Sequence, residues 1–257
     1  MKTHIMGTAL LLSASAIQGQ DGTDPVSELF SPKRIVKTNL AGYALLSVTL
    51  NYEQMVGPKT SVGLLGGYKI PTVYRVDAIG QLDGEDQTYT GDIEPKGLFL
   101  NPYFRLYTGK SVFRGFYVEA FGRYYDYEYL VPYDYDKNNT TIHANLDGTA
   151  TGMGGGLALG VQFPLAPRIY LDIHAGYGMG VADIHLQTND PNLDAADYQK
   201  IKTNIEQHEA EGDVTVFLLG DVLKGLDAEA DATSAWGDIK GKTFPLVRAG
   251  VSIGVAF

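Results

Sequence analysis

The chain has 257 residues, with 31 glycines, 17 tyrosines, no cysteine and a formal net charge of −10. Zero cysteine excludes zinc–thiolate, iron–sulfur and disulfide chemistry. The acidic balance argues against nucleic acid as a partner, because phosphate binding needs a positive footprint.

At the N-terminus, Lys2 and His4 precede an apolar run over 5–16, and small residues lead to a cleavage position after Gly19. This is the layout of a secretory signal, too short to span a bilayer. The expectation is a signal peptide over 1–19, a periplasmic N-terminal segment over 20–34 and a folded barrel over 35–257.

From there the chain reads as short runs in which every second residue is apolar, the period of a half-buried strand. A less regular first run covers 36–43. Val48, Leu50, Tyr52 and Val56 then share one face, as do Val62, Leu64, Tyr68 and Ile70. Leu98, Leu100, Phe104 and Leu106 follow, then Phe116, Val118, Ala120 and Tyr124. Leu157, Leu159, Val161 and Phe163 oppose a face rich in glycine. Ile169, Leu171, Ile173, Tyr177 and Met179 form the next run, and 247–257 the last, giving eight strands.

The connections alternate in length. Residues 57–60, 109–115 and 164–168 read as tight turns, whereas 77–96, 126–148 and 183–242 are long loops. The long loops hold 24 of the 30 acidic residues, and the turns hold Lys59, Lys110, Arg114 and Arg168 with no acid. Short turns on one side and long loops on the other are the pattern of an outer-membrane barrel. A soluble sandwich has no reason to sort charge by connection length.

The polar face carries Lys37, Glu53, Lys69, Arg105, Glu119, Arg123, Asp172, His174 and Arg248. Eight strands leave a bore just wide enough for side chains, so these charges should pair inside it as a structural network, with an ion path as the alternative. Cationic members outnumber anionic ones, and spacing alone does not assign the pairs. Tyrosines near strand ends, among them Tyr68, Tyr74, Tyr103, Tyr107, Tyr124, Tyr125, Tyr133 and Tyr135, suit interfacial girdles.

Residues 36–40, 50–53 and 65–68, reading VKTNL, LNYE and LGGY, resemble the small eight-stranded outer-membrane barrels common in Bacteroidota, of OmpA/OmpX-type architecture. The resemblance covers 33–186 and 243–257. It implies a bacterial outer-membrane location and brings no catalytic residues with it; the long last loop departs from the family's compact pattern.

That loop is too long to be structureless. Asp194 should cap a helix with Tyr198, Ile201, Ile205 and His208 on one face, ended by Gly212. Residues 214–219 read as a strand or buried helix, and Trp236 as an interfacial anchor. The segment should form a lid over the mouth or dock on another envelope protein.

Catalytic motifs are scarce. Residues 134–138 resemble the start of a calcium loop but lack the sixth-position glycine and the twelfth-position acid. Asp183 and His185 at a strand top are the candidates for an outer-membrane enzyme acting on lipid or peptide. The preferred expectation is an all-β, eight-stranded antiparallel up-and-down transmembrane barrel, non-enzymatic and without cofactor or metal. It acts at the surface or as an accessory subunit, with a small pore as a further alternative. Val251, Ile253, Val255 and Phe257 alternate to the last residue and read as a lipid-facing seam and a signal for the barrel-assembly machinery.

Overall fold

The structure is a computed structural model that describes residues 32–75, 80–82, 92–109, 111–137, 140–211, 214–216, 220–221 and 224–257. The expected signal peptide, and the segment after it up to Ser31, lie outside the described residues. The barrel unit begins at Pro32.

In chain order the elements begin with β1 (Arg34–Asn39), α1 (Leu40–Ala44), β2 (Ser47–Gly57), β3 (Thr60–Lys69), β4 (Tyr74–Arg75), β5 (Gly80–Leu82) and β6 (Asp92–Tyr107). Then follow β7 (Gly115–Lys137), β8 (Thr140–Ala166), β9 (Ile169–Thr188), α2 (Ala195–Glu211), β10 (Val214–Val216), β11 (Gly220–Asp221), β12 (Asp227–Ala230) and β13 (Ala235–Ala256). Eight strands close a ring in the order β1-β2-β3-β6-β7-β8-β9-β13, and β13 pairs back onto β1. Every neighbouring pair is antiparallel, so this is an up-and-down barrel. No described helix is long and apolar enough to cross a membrane.

The stagger of the ring follows from its registers. Stepping from Ile35 through Glu53, Gly63, Tyr103, Phe121, Gly156 and Gly178 leads to Leu246, ten residues before Ala256, which is Ile35's own partner on β13. With strands ~4.8 Å apart and ~3.3 Å per residue, that stagger over eight strands tilts them by roughly 40°.

The apolar residues of the alternating runs point outward. Leu50, Leu157 and Leu159 are 65%, 64% and 67% exposed, and Val48, Phe104, Phe116, Tyr177 and Met179 share this outer face. The inner face carries the charges, glycines and several tyrosines. Tyr103, Tyr107 and Tyr125 are buried in the lumen and do not belong to an interfacial girdle, whereas Tyr68 and Tyr124 do face outward. The side chains of Tyr74, Tyr133 and Tyr135 lie outside the described residues.

Several expected boundaries move. The first strand stops at Asn39, because its Oδ1 accepts from Ala41 N and starts the one-turn helix α1 over residues expected to be strand. Residues 126–148 are not a loop. The β7–β8 register runs unbroken out to Lys137↔Thr140, so the barrel wall continues as a hairpin. Likewise β9 reaches Thr188 and β13 starts at Ala235, which shortens the insertion to 189–234. Trp236 consequently lies within β13, between Gln187 of β9 and Glu229 of β12.

The connection after β6 is not a simple turn either. Phe113, with φ 65°, turns its ring into the barrel. There it packs with Ile35, Tyr107, Val112, Tyr117, Tyr170 and Ala256 as an apolar plug at the turn end. At the other end, Asp194 caps α2 as expected, its Oδ1 accepting from Ala196 N and Asp197 N. Tyr198, Ile201 and Ile205 pack against Leu146, Ala235 and Ile239, which are inward positions of β8 and β13. The helix thus lies on the lumen-facing side of the extended wall. The side chain of His208 lies outside the described residues, as does Gly212. Of 214–219, the described part is β10, which pairs with β5 of the first long loop and with β11.

Candidate functional site

Six buried charges meet in the lumen just above the plug. Lys37, Glu53, Arg105, Glu119, Asp172 and Arg248 are each at most 2% exposed. Strand alternation puts them all inward, and the tilt of the barrel brings six strands to one level. Lys37 Nζ lies 2.5 Å from both Glu53 Oε2 and Asp172 Oδ2. Arg105 Nη1 donates to Asp172 Oδ2 at 2.7 Å and to Glu53 Oε2 at 3.0 Å, and Arg105 Nε donates to Glu119 Oε2 at 2.8 Å. Arg248 Nε donates to Glu119 Oε1 at 2.5 Å. The result is three cations against three carboxylates, a neutral cluster with no charge left over. That balance allows a buried group of this size to exist, because an uncompensated buried charge would cost several kcal/mol.

Aromatic and polar neighbours complete the shell. Tyr107 Oη donates to Glu53 Oε1 at 2.7 Å, and Tyr117 Oη donates to Asp172 Oδ1. Ser61 Oγ donates to the same Glu53 oxygen, Oε1. The Arg105 guanidinium stacks 4.1 Å from the Tyr117 ring centroid and 4.5 Å from that of Tyr103. Neither Tyr107, Tyr117 nor Ser61 stood among the expected network residues. Each lies two residues from a charged or polar inward position on the same strand or opposes one across the ladder, so inward parity alone could have found them.

Three expected members stand apart. Lys69 has the right parity but is the last residue of β3, at the rim, where its Nζ donates to Leu45 O at 2.8 Å. It does not join the cluster, because its height along the lumen is wrong. Arg123 sits one level above, with Nε donating to Asn101 Oδ1 at 2.8 Å. His174 is buried beside the cluster, its Nδ1 3.7 Å from Asp172 Oδ1, too far for a hydrogen bond.

Asp183 and His185 do not form a constellation with each other. Asp183 Oδ1 accepts from Gly241 N at 2.8 Å, and His185 Nδ1 lies 2.9 Å from Asp238 Oδ1 across the β9–β13 ladder. Among the described residues no group of three potential ligands could hold a metal ion. The side chains of 134–138, whose sequence resembles the start of a calcium loop, lie outside the described residues. Val251, Val255 and Phe257 are outward and exposed, and Ile253 is partly exposed on the same face. Phe257 is tied by its backbone, with N donating to Arg34 O at 2.9 Å.

A family described as a protein of unknown function (DUF3575) matches residues 9–208. The chain belongs to the DUF3575 family. The DUF3575 match contains Lys37, Glu53, Arg105, Glu119 and Asp172, and it ends inside α2, ahead of β13 and Arg248. A search of curated proteins found no match. Among solved structures, the crystal structure of CarO from Acinetobacter baumannii is 13% identical, with a TM-score of 0.38, over 89% of this chain and 99% of that one.

Proposed function

We propose that this DUF3575 protein is a non-enzymatic barrel of the bacterial outer membrane, of OmpA/OmpX-type build. It works as a surface protein or as the accessory subunit of an envelope assembly. One observation carries the reading: the barrel is inside out relative to a soluble one. Its exposed outer face is aliphatic and aromatic, and its buried inner face is charged. In water that arrangement would expose a continuous apolar belt; in a bilayer the belt meets acyl chains and the closed ring leaves no unpaired edge. The neutral cluster and the Phe113 plug fill the lumen, which favours a structural barrel over a pore.

Contact with a partner then falls to the loop side, where the β5–β10–β11 sheet joins the first long loop to the insertion. With α2 on the lumen-facing side of the wall, the lid reading is the better one for the helix. The insertion 189–234, whose β12 is the edge strand of the sheet, offers the surface for an envelope partner. Purification of the tagged protein from outer membranes in mild detergent tests this: a stoichiometric envelope partner is expected. A strictly monomeric species would overturn the subunit role. Planar bilayers should stay electrically silent, and discrete conductance steps would favour a pore instead. Replacing His185 by Ala should leave hydrolysis of lipid and peptide substrates unchanged, at background.

A further inference from the structure

Several buried side-chain donors of the lumen have no acceptor. Every carboxylate oxygen of Glu53, Glu119 and Asp172 accepts an N–H or O–H from the cluster. Asn101 Nδ2 and Arg248 Nη2, on side chains 1% and 2% exposed, are among those left with no partner. Both are donors.

Arg123 stands beside them. Because its Nε can only donate, Asn101 Oδ1 must be the accepting atom, and the amide cannot be turned round to hide its NH₂. Arg123 Nη1 reaches across the lumen to Val247 O at 3.4 Å, adjacent in sequence to Arg248. The Arg248 guanidinium lies 5.3 Å from the ring centroid of Phe121, the inward residue next below Arg123 on β7. Among the described residues Arg123 has no carboxylate partner; its contacts are the amide and the carbonyl just named.

We propose that Arg123, Arg248 and Asn101 bind a small monovalent anion of the halide class, directly above the charge cluster. The cluster below is neutral by itself, so it has no negative charge to lend Arg123. Water could accept hydrogen bonds from the spare N–H groups but carries no charge to set against the Arg123 guanidinium. An anion supplies both. Entry is from the loop side, because Arg123 is only half-buried whereas the cluster and Phe113 close the way below.

The test uses the full chain in detergent with bromide as the probe. Crystals grown in sodium bromide should show an anomalous peak within hydrogen-bonding distance of Arg123 and Asn101. In solution, sodium bromide should raise the melting temperature above that in sodium gluconate at equal ionic strength, by about 5 °C at a hundredfold excess over Kd. The variant Arg123→Gln should lose that difference. Absence of the bromide peak overturns the proposal, as does a bromide shift that is missing in the native chain or equal in the variant.

Discussion

Tyr117 on β7 lies over Gly160, its direct partner on β8, so closely that a β-carbon on the glycine would stand 2.3 Å from the ring. The same fit recurs at Tyr103 over Gly63, Tyr125 over Gly152 and Tyr129 over Gly148. Missing β-carbons make room for aromatic rings in a bore of eight strands, and the ring seated on Gly160 places its hydroxyl on Asp172.

Gly160→Ala should therefore displace Tyr117 and destabilise the barrel by about 1–3 kcal/mol. Gly66→Ala is the control: its β-carbon would meet only a Leu100 methyl at 3.4 Å. Urea unfolding in detergent should separate the two, and equal midpoints would contradict the ring-on-glycine account.

Glu119 holds two guanidinium groups, those of Arg105 and Arg248. Glu119→Gln leaves one positive charge without its counterion and turns an NH₂ toward a donor. The expected loss is ~3–5 kcal/mol. Glu128→Gln, which removes the exposed partner of Lys96, should cost no more than ~1 kcal/mol. The two variants are read side by side by the temperature at which heating changes gel mobility.

Phe257 is tied to Lys33 and Arg34 through its backbone, and the residue is 55% exposed. Phe257→Ser should lower the amount of barrel assembled in the outer membrane several-fold. Stability of the assembled protein should change by less than ~1 kcal/mol. Unchanged yield would remove the assembly role of this residue.

Ile201 is 2% exposed between α2 and the extended wall. Ile201→Asp buries a charge with no partner in that contact. Helix α2 should detach, and limited proteolysis should cut within 189–234 while the barrel core stays protected. Resistance equal to the native chain would mean that the helix is held by something other than this packing.

Asp231 is an exposed carboxylate held below the usual range, chiefly by the backbone N–H of Thr233 and also by that of Ser234. Its folded pKa is depressed, so its contribution to the 231–234 turn is present above the ordinary value of ~3.9. That contribution is lost as pH falls through the lower folded value. An NMR titration should place the Asp231 midpoint below that of a random-coil aspartate, and Asp231→Asn should abolish the acid-dependent shift at Thr233. A midpoint at or above the random-coil value would refute the turn's hold on the carboxylate.

By itself the sequence determined what is local. Alternation set which side chains face inward, from Lys37 on β1 to Arg248 on β13, because a strand has a period of two whatever it pairs with. It also specified a helix beginning at Asp194, since cap and apolar face are properties of neighbouring residues. Parity says nothing about height. Which inward residues meet depends on the ten-residue stagger of the ring, and only tertiary structure supplied it. The stagger joins Arg105 to Asp172, 67 residues away, leaves Lys69 at the rim and lifts Arg123 clear of the carboxylates. The β7–β8 hairpin escaped the reading for a related reason. Its residues 126–148 lack the clean apolar alternation of the other strands, and they pair because a ladder already begun continues along the two chains without a break. The inward turn of Phe113 likewise became decidable only once the closed ring had made a space for it.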